Sequence, residues 1–138
     1  MSRLLIDTNI VIDLLSRRKD FYDEAADLFS RADNKEFKLA ISALTFANTN
    51  YILTKLTSAK ESRDILRKFK ILVEIVSLDD KITQLALSDD NFLDFEDGLQ
   101  YYSALENHID VIITRNKKDF KNSKIPVLTA KEFLARKK

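Results

Sequence analysis

Short apolar runs alternate with stretches of helical spacing along the whole chain. Arg3-Leu4-Leu5-Ile6 stops at Asp7-Thr8-Asn9, the pattern of a buried strand running into a helix cap. Apolar positions then recur at helical spacing through Ile10, Ile12, Leu14 and Leu15, and again through Phe21, Ala25, Leu28 and Phe29. Lys38–Ile41 reads as a second strand, followed by helices over Thr45–Leu56 and Ser58–Phe69 with little between them. Leu72–Val76 is β-rich, Asp79–Leu87 and Phe95–Glu106 are helical, and Val111–Ile113 and Pro126–Leu128 complete the strands. Thr129 can cap a last helix over Ala130–Arg136. Such alternation predicts a single α/β domain over residues 1–138, with parallel strands, right-handed crossovers and helices on both faces. Ligands of such sheets sit beyond the carboxyl ends of the strands, at the point where strand order reverses. Asp7 and Thr114-Arg115-Asn116 follow two of the predicted strands and are therefore the first places to look.

Composition narrows the chemistry. The 138 residues are 45% hydrophobic, enough for one domain with its own core. With no Cys, the chain has no disulfide, thiolate metal site or cysteine nucleophile, which is compatible with a reducing, cytoplasmic setting. A single Gly and a single Pro argue against a turn-rich sandwich or barrel and exclude a Gly-rich phosphate loop. His108 is the only His, so a His-rich metal site is excluded and a Ser-His-Asp triad has one route. The apolar runs fall far short of the ~18 residues of a membrane span, and no export signal opens the chain.

The net charge of +1 conceals an asymmetry. Residues 1–114 hold 14 basic and 20 acidic residues, whereas residues 115–138 hold nine basic and two acidic. A basic C-terminal quarter beside an acidic body fits a polyanion partner, and it equally fits a solvated surface. Lys131, Arg136, Lys137 and Lys138 read as a solubilising, frayed tail.

Three groups of side chains carry possible chemistry. Asp7 ends a hydrophobic strand, where a carboxylate can hold a divalent cation or simply cap the following helix. Asp13, further along that helix, reads as solvent-facing or as part of a capping network. In Asp94-Phe95-Glu96-Asp97 the acids suit a helix N-terminus, and capping accounts well for Asp94 and Glu96. It accounts less well for Asp97, because Gly98 follows in a helix interior, where Gly costs about 1 kcal/mol. Close approach by backbone, metal or substrate is one reason for a glycine there. The third group is Thr114-Arg115-Asn116-Lys117-Lys118-Asp119, in which Thr114, Asn116 and Asp119 offer oxygen ligands. Arg115, Lys117 and Lys118, with Lys121 just beyond, offer cations for phosphate. Acids at two strand ends suit a hard, oxygen-liganded ion such as Mg²⁺ or Mn²⁺.

In order and context these pieces resemble the PIN domain, the fold of VapC-type toxin ribonucleases and related nucleases. The resemblance runs from Leu4-Leu5-Ile6-Asp7-Thr8-Asn9 through Ile41-Ser42-Ala43-Leu44-Thr45 and Asp94-Phe95-Glu96-Asp97. It continues through Thr114-Arg115-Asn116 with Asp119-Phe120, and closes on Ile125-Pro126-Val127-Leu128-Thr129 and Glu132-Phe133-Leu134. It implies a three-layer α/β/α sandwich with a central parallel sheet, and an acidic pocket binding one or two Mg²⁺ or Mn²⁺ ions. The implied activity is endonucleolytic hydrolysis of RNA by the toxin of a type II toxin–antitoxin pair, with a small antitoxin partner and a homodimeric state. Asp7 matches the first acid of the family and Asp97 the third. The second is usually Glu but falls here on Asn48, and the fourth, often Asp, falls on Asn116 with Asp119 nearby. The resemblance therefore implies Asp7, Asp97, Asn48 and Asn116 as catalytic positions and Asp7, Asp97, Asn116 and Asp119 as metal ligands. Thr114, Arg115, Lys117 and Lys118 are the expected RNA contacts.

Three other readings compete. A haloacid-dehalogenase-like hydrolase needs Asp-x-Asp at the first strand end, but the residues are Asp7-Thr8-Asn9. A receiver domain needs an acidic pair near Asp7 and a Lys after the last strand, where Thr129-Ala130 stands. The third is a catalytically weak or inactive PIN-like domain that binds RNA or a protein partner, favoured by Asn48 and Asn116 and opposed by Asp7 and Asp97.

Overall fold

The structure is a computed structural model that describes residues 1–136; the predicted tail residues Lys137 and Lys138 lie outside the described residues. Strand β1 (Arg3–Ile6) is the centre of the sheet, with Leu4, Leu5 and Ile6 all fully buried. It pairs in parallel with β2 (Lys38–Ser42) on one side and β4 (Val111–Ile113) on the other. Beyond these lie β3 (Glu74–Val76) and β5 (Val127–Leu128), giving the order β3-β2-β1-β4-β5 with every pairing parallel. The chain thus winds outward from β1 to β3, then returns to start again at β4. The reversal lies between β1 and β4, where the helices leave in opposite directions and open a crevice.

Strand alternation divides the core. Leu4 and Ile6 face one side, against α1 (Thr8–Leu15), α2 (Tyr22–Asp33) and α7 (Ala130–Arg136) through Ile10, Leu28, Phe29 and Phe133. Leu5 and Ile112 face the other, against α6 (Phe95–Glu106) through Tyr101 and Ala104. Helices on both faces of a parallel sheet make the three-layer α/β/α sandwich expected from the pattern. Among the described residues no helix is long and apolar enough to cross a membrane.

The element boundaries differ from expectation where local hydrogen bonding overrides hydrophobic pattern. Helix α3 (Ala43–Leu56) starts two residues early because Ser42, at the end of β2, caps it by accepting from the Thr45 amide at 3.3 Å. After α4 (Ala59–Lys70), Leu72 and Val73 do not join β3; their amides turn back onto Phe69 and Lys70 carbonyls. The segment after β4 contains a 3-10 turn over Lys117–Phe120 that hydrophobic spacing does not announce. It is pinned by Phe120, which is buried in the second core cluster.

The structure does not require a glycine at position 98. A Cβ built there meets Phe92 Cβ at 3.5 Å and Ala86 Cβ at 3.6 Å, so the glycine faces α5 (Asp80–Leu87) and the loop after it. The close approach is to side chains of the chain itself, at ordinary van der Waals distance, and the backbone is not in the left-handed region. Gly98→Ala is therefore expected to stabilise the fold by about 0.4–1 kcal/mol through helix propensity. Urea denaturation would read this as a higher midpoint with an unchanged slope.

Candidate active site

Register determines what meets at the crevice. Ile6 lies opposite Ile113, so the next residues, Asp7 and Thr114, emerge side by side. The Asp7 amide donates to the Ile113 carbonyl at 2.9 Å, extending the ladder by one bond. Asp7 is 9% exposed, and its carboxylate is satisfied from three directions. Oδ1 accepts the Thr8 amide at 2.8 Å, which makes Asp7 the N-cap of α1, and Oδ2 accepts the Thr114 hydroxyl at 2.8 Å. Gln100 Nε2, from α6, reaches Oδ1 at 3.4 Å and donates to Thr45 Oγ1 at 3.0 Å. Thr45 Oγ1 in turn shares a hydrogen bond with Thr8 Oγ1 at 2.9 Å. The capping role and the site role of Asp7 therefore coincide in one side chain. Burial pushes its pKa up; the donated hydrogen bonds from Thr114, Thr8 and Gln100 pull against this, and the charge of Asp119 adds to the rise.

Beside Asp7 opens a cavity of about 350 Å³. It is lined by Asp7, Asp97, Asn48, Asn116 and Asp119, so the structure brings all five metal or catalytic candidates to one place. Asp97 stands in the first turn of α6, half-buried, and its pKa is pushed up to about 7. Burial is the main cause, followed by the negative charges of Asp94, Asp119, Asp7 and Glu96.

Several residues of the cavity wall were not assigned a site role from sequence. Glu96 fits its predicted place at the helix N-terminus, yet its carboxylate also accepts from Asn48 Nδ2 at 3.3 Å. An acid thus sits beside the position where the resemblance leaves a neutral side chain. Gln100 lies three residues beyond Asp97 and four beyond Glu96, one helical face, and that spacing was the available signal. Asn9 and Arg18 also line the wall, Arg18 being the one cation among the described lining residues.

The basic segment is arranged differently from expectation. Thr114 is fully buried and commits its hydroxyl to Asp7, which leaves it no surface to offer a polynucleotide. Arg115 does not point to open solvent. Its Nε and Nη2 donate to the two carboxylate oxygens of Asp13 at 2.8 and 3.2 Å, and its guanidinium lies 4.0 Å from the centre of the Phe21 ring. Asp13, expected to be solvent-facing or part of a capping network, is 1% exposed, because α1 packs that side against the post-β4 loop. Lys117 pairs with Glu132 at 3.0 Å across the surface. Lys118 has no such partner among the described residues.

The donor set suits a hard divalent cation. It consists of carboxylate and amide oxygens, and the buried Oδ1 of Asn9 and Oε1 of Gln100 have no hydrogen-bond partner. Among the described residues no three His, Cys, Asp or Glu side chains are grouped tightly enough to hold an ion by themselves. Mg²⁺ sites commonly use one or two carboxylates and keep several waters, so Asp7 and Asp97 with neutral oxygens are sufficient.

A family model described as PIN domain matches residues 3–118. Ribonuclease VapC1 of Aquifex aeolicus strain VF5 is 29% identical over 138 residues, covering 97% of this chain and 94% of that protein. A toxin–antitoxin complex from Klebsiella pneumoniae superposes with a TM-score of 0.68 at 26% identity, covering 92% of this chain and 97% of the other. DNA-bound VapBC from Salmonella typhimurium superposes with a TM-score of 0.72 over 94% and 99% of the two chains; at 15% identity it speaks to the fold alone.

Two outcomes follow from the geometry. Because the Asp97 pKa rises from 3.8 to about 7 on folding, the folded chain holds a proton in that window that the unfolded chain has lost. Stability of the metal-free protein should therefore fall as pH rises through the window, and Asp97→Asn should flatten the fall and raise Tm at pH 8. Thermal melts at pH 5 and pH 8 read both effects. The second outcome concerns the buried pair. Arg115→Ala leaves the buried Asp13 carboxylate with only the longer contact to Arg18 at 3.6 Å and should cost about 2–4 kcal/mol, whereas Asp13→Asn releases partly exposed guanidinium groups to water and should cost less. Chemical denaturation of the two variants would give the order.

Proposed function

The chain belongs to the PIN domain family, and on that premise we propose that it is a metal-dependent endoribonuclease, the toxin of a type II toxin–antitoxin pair. The observation that carries the reading is the convergence of Asp7, Asp97 and Asp119 on one cavity at the β1–β4 reversal point. Like charges brought together in a partly buried site repel, and a bound cation relieves that repulsion. In this reading Asp7, Asp97, Asn116 and Asp119 hold Mg²⁺ or Mn²⁺, with Asn48 and Glu96 lining the same cavity. A divalent cation in such a site activates water and stabilises the charge that develops on a phosphoryl group in the transition state.

The protein's own part is orientation. Asp7 is fixed by donors on α1, α6 and the end of β4, so its carboxylate cannot rotate away when the ion leaves. Asn48 and Asn116 contribute neutral oxygens, and their use in place of acids lowers the negative charge that an RNA phosphate must approach. Glu96 limits the loss of metal affinity at the Asn48 side. The Klebsiella relative, a toxin–antitoxin complex, supports a small antitoxin protein as partner, and the family resemblance supports a homodimer.

The alternative, a PIN domain that binds RNA or a protein without cutting, draws on Asn48 and Asn116. One experiment separates the two. Purified protein is incubated with a panel of structured RNAs and Mn²⁺, beside an Asp7→Asn control. Specific cleavage that needs Mn²⁺ and falls roughly 10²–10³-fold in the control supports the enzyme. Tight binding of RNA without metal-dependent cleavage supports the alternative. Within the enzyme reading, Asn48→Glu should tighten Mn²⁺ binding and Glu96→Gln should weaken it, measured by calorimetry.

A further inference from the structure

A second cavity, of about 310 Å³, adjoins the first, and Asp94, Asp97 and Asp119 line both. The two spaces share a wall of acids, but their far sides differ. The far side of the second holds Lys118 and Lys121, with Phe92 and Leu93 on the loop before α6. Its size is that of a site for one small ligand or one residue of a polymer.

The 3-10 turn after β4 explains why these two lysines act together. With three residues per turn, positions three apart lie one above the other, so Lys118 and Lys121 share a face. Phe120 is buried between them and fixes the turn. The other cations of the segment are engaged elsewhere, Arg115 on Asp13 and Lys117 on Glu132. Among the described residues, neither Lys118 nor Lys121 has an ion-pair partner. Leu93 is fully exposed at 101%, on a loop held down by Phe92, whose ring stacks on Tyr101 at 5.2 Å. An anchored loop thus presents an apolar side chain at a cavity that two ammonium groups without an ion-pair partner among the described residues also line.

We propose that this second cavity is a nucleotide subsite for the residue of a single-stranded RNA that flanks the scissile phosphodiester. Lys118 and Lys121 hold the adjoining phosphate, and Leu93 supports the base or sugar. The inference rests on the nuclease reading for the location of the scissile bond, but its contacts are measured by binding alone. A nucleotide matches the two lysines and the apolar Phe92–Leu93 side, being anionic along the backbone and apolar on the face of the base, while the shared acids belong to the adjoining cavity.

The test uses the full chain with Asp7→Asn, which silences cleavage, and a fluorescent single-stranded oligoribonucleotide titrated across salt concentrations. The combined Lys118→Gln and Lys121→Gln variant should reduce the log–log salt slope by about 1.4, two contacts at about 0.7 each. Lys117→Gln should leave the slope unchanged. Scanning one abasic nucleotide along the oligomer should weaken binding at one position, and Leu93→Asn should remove that dependence. An unchanged slope in the double variant, or an equal loss with Lys117→Gln, would overturn the subsite. So would an abasic scan without a preferred position. Cleavage by the Asp7-intact protein is scored separately. A chain that cleaves but keeps its slope in the double variant loses the subsite and retains the nuclease reading. A chain whose slope falls as expected but which never cleaves keeps the nucleotide contacts and loses the nuclease reading.

Discussion

The constraint on which the rest depends is the burial of a carboxylate at the end of the central strand. Asp7 has almost no exposure to water, and a buried charge is tolerated only if the protein supplies the interactions that water would have made. Three elements are positioned to do so. Helix α1 begins at Thr8 and presents its amide; β4 ends at the register that puts the Thr114 hydroxyl alongside; α6 crosses close enough for Gln100 to reach both Asp7 and Thr45. The parallel order with β1 at the centre is what makes these partners available from both sides. Satisfying Asp7 and assembling the cavity are one structural event.

The same arrangement leaves an electrostatic imbalance. Asp97, Asp94, Asp119 and Glu96 gather in the same cavity as Asp7, and burial first, then the neighbouring negative charges, raises the pKa of Asp97. Arg18 borders the cavity but lies 3.6 Å from Asp13, which draws it to one side. The remaining cations near the mouth are tied to Asp13 and Glu132 or face the second cavity. A hard divalent ion fits the oxygens of this site. The Asp13–Arg115 pair belongs to this logic, because it ties the loop that carries Asn116 and Asp119 to the helix that Asp7 caps.

Much of this was legible in the chain. Leu4-Leu5-Ile6 and Val111-Ile112-Ile113 are apolar on both faces, which marks central parallel strands, and the residues after them therefore define the crevice. Asp7 could be located by that rule alone. Asn116 follows from the same strand-end rule and Asp97 from its place beside Gly98, whereas Asn48 became visible only through the order of motifs, since nothing in the local spacing of Phe46-Ala47-Asn48-Thr49 distinguishes a wall residue from an ordinary helical Asn. Pairings across long separations were not legible. Asp13 and Arg115 stand 102 residues apart, and helical periodicity cannot tell a polar residue on a wet face from one on a face that meets a distant arginine. The basic segment shows the same limit, for a run of charges does not say which of them find partners. That sorting comes from the 3-10 turn, whose only sequence mark is a buried Phe120.

The central claim is that Asp7 and Asp97 share one divalent cation. Crystals soaked in Mn²⁺ and measured for anomalous scattering test it directly. The account predicts an anomalous peak within about 2.0–2.6 Å of a carboxylate oxygen from each of Asp7 and Asp97, in the range of metal–oxygen bonds. A fully occupied peak elsewhere, or none in this cavity at saturating Mn²⁺, would contradict it.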